Sequence, residues 1–86
     1  MLVHIGNNSS IEANDIIAII DADTSTVSKV TRDLLKKAQE EGRVETISDD
    51  IPKSFIVAKG KKEKSVRVIA SCVSPATITG RIEKIS

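Results

Sequence analysis

The stretch Asp15-Ile16-Ile17-Ala18-Ile19-Ile20-Asp21 decides the fold class, because five consecutive apolar residues lie between two aspartates. An unbroken apolar run is typical of a strand covered on both faces, whereas a half-exposed strand alternates apolar and polar residues. The rest of the chain offers only one long helix and one short helix as cover. We therefore expect a second subunit to supply part of it; the alternative is that the two helices of the same chain suffice.

Around this run the sequence predicts further strands and one long helix. Leu2 to Ile5 and a segment near Ile11 are strand-like and are separated by the turn residues Gly6-Asn7-Asn8. After the run, Thr24-Ser25-Thr26 offers hydroxyl caps. The apolar stripe of the helix is Val27, Val30, Leu34 and Ala38, with Leu35 at its edge. We expect the helix to end near Glu41, since Gly42 can adopt the left-handed conformation that closes helices.

The second half of the chain predicts a hairpin and a short helix. Val44 to Ile47 is strand-like, Ser48-Asp49-Asp50 is a turn signal, and Ser54 to Ala58 is rich in strand formers, so we expect a hairpin there. Gly60 and its lysines form a second turn, which leads into the strand Val66 to Ser71. Ser74-Pro75 then begins a helix whose apolar positions are Ile78, Ile82 and Ile85. The predicted fold is α+β, a small mostly antiparallel sheet with one long amphipathic helix and a short C-terminal helix, in a single domain over residues 1–86.

Composition sets the protein class. The 86 residues are 40% hydrophobic and 29% charged with a formal net charge of +1, and no apolar stretch is long enough to span a bilayer. These values are typical of a soluble globular domain without a membrane partner. A chain this short buries only about 60–65% of its unfolded surface, so self-association would help its stability. The N-terminal residues lack a basic, then apolar, signal sequence, and we expect a cytoplasmic protein.

The inventory of reactive side chains argues against an enzyme. His4 is the only histidine and Cys72 the only cysteine, so one chain cannot assemble a common zinc site. We interpret His4 as a structural strand residue and Cys72 as a small buried hydrophobe. Asp21 with Asp23 and the pair Asp49-Asp50 sit where carboxylates cap backbone amides. The sequence therefore predicts no catalytic residue, no metal site, no cofactor and no small-molecule substrate.

Clustered lysines raise the question of nucleic acid. Lys59-Gly60-Lys61-Lys62-Glu63-Lys64 carries four lysines in six residues, a pattern that suits contact with phosphates but also occurs on solubilising turns. On the long helix Lys29, Arg32 and Lys36 share a face, although Lys29–Asp33, Lys36–Glu40 and Lys37–Glu41 are spaced as opposite-charge pairs. With Phe55 as the only aromatic residue, a stacking platform for single strands is lacking.

One local resemblance concerns the helix alone. Residues 25–37, running into Glu41-Gly42-Arg43-Val44, look like the recognition helix and wing of a winged-helix regulator. A winged helix needs helices upstream, whereas this chain has strand-like segments there.

A second resemblance covers nearly the whole chain. Four segments carry it, in this order: Val3-His4-Ile5-Gly6-Asn7, Asp15 to Asp21, Pro52-Lys53-Ser54-Phe55-Ile56-Val57, and Ser71-Cys72-Val73-Ser74-Pro75-Ala76-Thr77. They resemble the small bacterial extracellular matrix regulatory proteins, more closely the B-type (RemB-like) branch than the A-type branch. The resemblance implies a cytoplasmic protein and, for the A-type branch, a ring-forming DNA-binding regulator of biofilm-matrix genes.

The charges differ from that pattern. A-type proteins present arginines around the positions of Asp15 and of Asp50 to Lys53, whereas here carboxylates, which repel phosphates, occupy most of those places. The candidate nucleic-acid-binding residues are Lys53, Lys59, Lys61, Lys62, Lys64, Arg43 and Arg67. The candidate oligomer-interface residues are Asp15, Ile16, Ile17, Ile19, Ile78 and Ile82.

The leading functional hypothesis is a noncatalytic, homo-oligomeric regulator, in the form of a ring, that binds double-stranded DNA through basic surface residues to influence transcription. The alternative is a protein-binding adaptor or structural module without DNA binding. We expect Asp15 and Asp49-Asp50 to face a partner subunit's basic residues in part, because a ring needs complementary rims.

Overall fold

The computed structural model describes residues 1–23, 28–62 and 64–83. It confirms the α+β class, with one longer and one short C-terminal helix. A short 3-10 turn, Ala13–Asp15, precedes the third strand. The strands are β1 (Leu2–Gly6), β2 (Ser9–Glu12), β3 (Ile16–Asp21), β4 (Val44–Thr46), β5 (Ser54–Lys59) and β6 (Val66–Ser71), and the helices are α1 (Lys29–Glu40) and α2 (Pro75–Glu83).

The central sheet has four strands in the order β3-β5-β6-β4, and β1 and β2 form a separate two-stranded hairpin. β5 pairs antiparallel with both β3 and β6, so the turn at the lysines closes a hairpin. β4 pairs with β6 in parallel, and the expected hairpin of Val44 to Ile47 with Ser54 to Ala58 does not form, because β6 lies between β4 and β5. The sheet is therefore mostly antiparallel, with β5 and β6 inside and β3 and β4 at its edges.

The apolar run Ile16 to Ile20 forms an edge strand that its own chain covers only in part. Within β3 the register with β5 shifts between Ile16 and Ala18, and Ile17 at this bulge is 55% exposed. Ala18 is also exposed. The strand that its own chain covers on both faces is β5, where Ser54 to Ala58 are all buried. Ile16 and Ile19 pack against the core on one face of the sheet and Ile20 against the core on the other, so the described residues supply part of the cover of β3. The part expected from a second subunit stays a prediction.

Two apolar clusters lie on opposite faces of the sheet. On one face Leu35 and Ala38 of α1 pack with Phe55, Val57, Val68 and Ala70. On the other face the β1–β2 hairpin and α2 pack against β5 and β6. The buried members of this second cluster are Val3, Ile5, Ile11, Ile56, Ala58, Ile69 and Ile78. Both predicted helices thus cover the sheet, one on each face, and Phe55 belongs to the core as expected.

Helix α1 ends where the sequence predicts but begins later than the proposed caps. Its first turn is capped by Ser28, whose Oγ accepts a hydrogen bond from the Thr31 N–H at 3.2 Å. The predicted caps Thr24, Ser25 and Thr26, and Val27, lie outside the described residues. At the other end Gly42 has a φ of 69°, and the Arg43 N–H donates to the Ala38 carbonyl at 2.8 Å. Strands precede α1, so the local winged-helix resemblance does not extend to the fold.

The buried face of α1 is rotated from the predicted stripe. Leu35 and Ala38 face the sheet, whereas Val30 is 80% exposed and Leu34 is 43% exposed. The apolar residues of α1 span more of the helix circumference than one sheet contact can bury. The helix therefore retains an apolar flank, at Val30 and Leu34, that no other described residue buries.

Hydrogen bonds from two buried serines connect the central sheet to the segments packed on it. The Ser71 Oγ–H donates to the Ile5 carbonyl at 2.6 Å, and the Ser54 Oγ–H donates to the Val73 carbonyl at 2.8 Å. Ser54 and Ser71 face each other across β5 and β6. Such buried hydroxyls are stable only when they are paired, so these bonds fix the hairpin and the start of α2 against the sheet.

Two of the three predicted apolar residues of α2 pack into the core of the same chain. Ile78 is fully buried and Ile82 packs against the same cluster, whereas Ile85 lies outside the described residues. Arg81 donates from Nη1 to the His4 carbonyl at 2.8 Å and holds α2 to β1. Neither described helix has the length and apolar character that crossing a membrane requires.

Candidate nucleic-acid interface

Four lysines lie at the tip of the β5–β6 hairpin, where hydrogen bonds join Gly60, Lys62 and Ser65. The N–H of Gly60 donates to the Ser65 carbonyl at 2.9 Å, and the N–H of Ser65 donates to the Lys62 carbonyl at 3.1 Å. The Ser65 hydroxyl also binds the Lys62 backbone, donating to its carbonyl at 2.6 Å and accepting from its N–H at 3.2 Å. We call Lys59 to Lys64 the lysine turn. All four of its lysines are exposed.

Gly60 is required by the packing of this turn. A Cβ at position 60 would clash with the Ser65 Oγ and lie 3.0 Å from the Ser65 Cβ. Lys64 adopts a φ of 65°, an uncommon conformation for a lysine. The close approach of Gly60 to Ser65 therefore leaves little room for a side chain at position 60.

The two candidate arginines are already paired with carboxylates of their own chain. Arg67 binds Glu45 through two hydrogen bonds, from Nε at 2.6 Å and from Nη2 at 3.0 Å. Arg43 binds Glu41 from Nε at 2.6 Å. Of the seven candidate residues, these two therefore offer the least free charge to a phosphate.

The ion pair between Arg67 and Glu45 shifts the pKa of both side chains. The hydrogen bond from Arg67 is the main cause that lowers the pKa of Glu45, and nearby Lys61 lowers it a little further. The same bond raises the pKa of Arg67, and Asp15 adds to that effect. Asp15 therefore lies at the lysine-turn end of the sheet, which agrees with the pairing of Ile16 with Ala58.

Lys53 lies at the other end of β5 from the lysine turn. It immediately precedes the strand that Lys59 ends, so the two residues are about 20 Å apart at about 3.3 Å per residue. Its backbone N–H donates to the Ser71 carbonyl at 2.8 Å, and its side chain is exposed. Within one chain the candidate lysines thus form two separate groups. Asp15 lies near one group, and Asp49-Asp50 precedes the other.

The basic residues of α1 are a feature that the candidate set left out. Among the described residues the ion pairs are Met1–Glu12, Arg43–Glu41 and Arg67–Glu45. The helical pairs Lys29–Asp33, Lys36–Glu40 and Lys37–Glu41, expected from their spacing, do not close. Lys29, Arg32 and Lys36 are exposed. Their spacing on one face of the helix was the sequence signal that could have placed them among the candidate residues.

No cluster of three histidine, cysteine or acidic side chains that could hold a metal ion occurs among the described residues. His4 is exposed on β1, and Cys72 is half-buried with its Sγ close to Gly6. Asp21 caps the Asp23 N–H at 2.9 Å, the role predicted for it.

The candidate interface residues divide between the surface and the core. Ile17 is exposed, Asp15 is half-buried, and Ile16, Ile19 and Ile82 are partly buried against their own core. Ile78 is fully buried in that core and offers no surface to a partner. The expectation for Ile78 is therefore corrected: its i, i+4 spacing with Ile82 reports packing of α2 against β1.

Comparison with known proteins supports the resemblance seen in the sequence. No curated protein matches the chain. A family model described as RemA-like, extracellular matrix regulatory protein A-like, matches residues 2–82, which include every described strand and nearly all of α2. The match confirms the family, while placement in the B-type branch stays a prediction. The chain therefore belongs to the RemA-like family of extracellular matrix regulatory proteins.

Proposed function

We propose that this member of a matrix regulatory family is a noncatalytic regulator that binds double-stranded DNA through its lysine turn. The observation that carries the proposal is the turn itself: four exposed lysines on a hydrogen-bonded hairpin tip. None of the four closes an ion pair with another described residue. Lysines on such a projection suit phosphate contacts, which position a protein on DNA without reading its sequence.

Duplex DNA fits the side chains better than single strands do. Single-strand binding relies on aromatic rings on which bases stack. The only aromatic residue, Phe55, is buried under α1 and cannot stack on a base. The contact available to the lysine turn is therefore with the phosphate backbone.

Self-association is the second part of the proposal. A single lysine turn gives a weak contact, and linking several copies raises the overall affinity through effective concentration. The exposed edge of β3 supports this, because an open edge strand with an exposed isoleucine is a site for pairing with another chain. The proposed interface contains Asp15, Ile16, Ile17, Ile19 and Ile82, and a ring is the assembly that we expect. Action in the cytoplasm on transcription of matrix genes belongs to the same proposal.

The test is fluorescence anisotropy of labelled duplex DNA, both mixed-sequence and A·T-rich, across a salt series. We expect affinity to fall with salt with a log–log slope of about −0.9 per phosphate contacted. The variant Lys61→Glu/Lys62→Glu should lose binding. The matched control is Lys29→Glu/Lys37→Glu, which changes the net charge equally on α1 and should bind nearly as well as the wild-type chain.

Absence of binding at low salt would contradict DNA binding by this chain. Equal losses in both variants would contradict the lysine turn as the site, because they would report net charge alone. Absence of binding would favour the second candidate function, a protein-binding adaptor. The exposed apolar flank of α1 at Val30 and Leu34 is the observation that favours this candidate.

A further inference from the structure

An open groove runs beside α1 on the sheet face that this helix covers. Its volume is about 360 Å³, its floor is apolar, and two positive side chains one helical turn apart stand at its α1 rim. The lining residues are Ala22, Leu35 and Phe55 on the floor and Arg32, Lys36 and Gln39 along the helix.

The two cations at this rim have no carboxylate partner in the described part of the chain. Arg32 and Lys36 are exposed, and neither is in an ion pair with another described residue. Glu40, which is spaced to pair with Lys36, does not reach it. The groove thus combines an apolar floor with uncompensated positive charge, which suits an aliphatic side chain flanked by carboxylates.

This combination of side chains occurs on the surface of the same chain, in the loop before β5. Ile51 is 87% exposed, the highest value among the exposed large hydrophobic residues of the described chain. Asp49 and Asp50, directly before it, are exposed and in no ion pair with described residues. The Asp50 N–H donates to the Ser48 Oγ at 3.1 Å, so the loop has a local hydrogen bond that shapes it.

The loop and the groove lie on one face of the molecule. A second, smaller cavity of about 140 Å³ is lined by Asp50 and Pro52 of the loop and also by Gln39 and Phe55, which line the groove. When one patch carries both halves of a complementary contact, two copies related by a two-fold axis can satisfy both halves at once. A second copy of this chain therefore matches the groove in charge and in the apolar character of its floor.

We propose that the groove receives Asp49-Asp50-Ile51 of a second copy, and that two chains exchange these loops reciprocally. Ile51 covers the apolar floor formed by Leu35 and Phe55, and the two carboxylates meet Arg32 and Lys36. Burial of an exposed isoleucine and pairing of free charges both favour the contact. The proposal rests on the self-association proposed above and adds a contact separate from β3.

The test reverses the charges of the groove in one variant and those of the loop in another. The groove variant is Arg32→Glu/Lys36→Glu and the loop variant is Asp49→Lys/Asp50→Lys, and assembly is measured by sedimentation velocity over a concentration series. Each variant alone places like charges together and should weaken association about tenfold or more. An equimolar mixture of the two variants restores both contacts and should associate as the wild-type chain does.

The matched control is again Lys29→Glu/Lys37→Glu, which has the charge change of the groove variant outside the groove. Its association should stay close to that of the wild-type chain. A wild-type chain that stays monomeric, variants that associate normally, or a mixture without rescue would each overturn the proposal. These readouts are independent of DNA, so a failure of DNA binding would leave the result unaffected.

A direct measurement separates this contact from assembly through β3. A photo-reactive amino acid at position 51, an exposed position where folding should tolerate it, is activated in a mixture of isotope-labelled and unlabelled chains. We expect crosslinks between labelled and unlabelled peptides that join position 51 to the 32–39 segment. Crosslinks confined to single chains would overturn the proposal, since they would place Ile51 over the groove of its own chain.

Discussion

β3 and β5 are both six-residue strands rich in aliphatic side chains, but their surroundings differ. β5 lies between two strands and beneath two layers, and five of its six residues are buried. β3 pairs with one strand only, and no residue of it is fully buried. The difference teaches that an apolar run predicts a strand, whereas its place in the sheet depends on segments far along the chain. On an edge strand, such a run becomes a candidate contact surface.

The largest contrast should appear in stability. Ile56→Ala removes a fully buried β5 side chain and should lower the free energy of unfolding by about 2–5 kcal/mol. Ile17→Ala removes an exposed β3 side chain and should change it by about 0.5 kcal/mol or less. Urea unfolding at protein concentrations low enough for monomers provides the measurement. Equal losses in both variants would mean that β3 is enclosed even in the single chain.

A second contrast concerns association through the edge. Ile17→Lys places a charge on the exposed bulge of β3 and should weaken self-association about tenfold, because the side chain would be desolvated against a partner. Sedimentation velocity measures the change. The control is Ser10→Lys, an exposed position of β2 that receives the same charge. Unchanged assembly of the Ile17 variant would remove β3 from the interface.

The smallest effect concerns the opposite edge, where Glu45 of β4 binds Arg67 of β6. Because Arg67 lowers the pKa of folded Glu45, the pair stabilises the fold above the normal pKa of glutamate. That contribution is lost as the pH falls through the lowered pKa. Both side chains are more than a third exposed, so it should be below about 1 kcal/mol.

Urea unfolding of the wild-type chain and of Glu45→Gln tests this pH dependence. The two should differ near neutral pH and converge once the pH has fallen below the lowered pKa of Glu45, where this carboxyl is protonated in the folded chain as well. The control is Glu40→Gln, an exposed α1 glutamate outside the ion pairs of the described residues. A difference that persists at low pH would assign the effect of Glu45→Gln to packing.

Local signals predicted the parts of the fold that depend on neighbouring residues. Gly42 marks the end of α1, and the hairpin of β5 and β6 follows from strand formers on both sides of a turn. The edge position of β3 and the parallel pairing of β4 depend on contacts between distant segments, which periodicity does not report. The buried face of α1 was mispredicted for the same reason, because contacts with the sheet, and not the helical spacing alone, determine which apolar side chains are buried.

The candidate site shows the same division. The exposure of the four lysines followed from their place in a turn. The pairing of Arg67 with Glu45 could not be predicted, because these residues meet only through the parallel register of β4 and β6. The groove beside α1 was equally hidden, since Ala22, Leu35 and Phe55 converge from three separate segments.

The parallel pairing of β4 with β6 also has a kinetic consequence. The β1–β2 and β5–β6 hairpins join neighbouring segments, so they can close within microseconds. β3 and β4 reach their partners only after much longer loops have closed, and closing longer loops costs more entropy. We therefore expect the amides of β4 to exchange with solvent by local opening, before those of β5 and β6, which should exchange only on global unfolding.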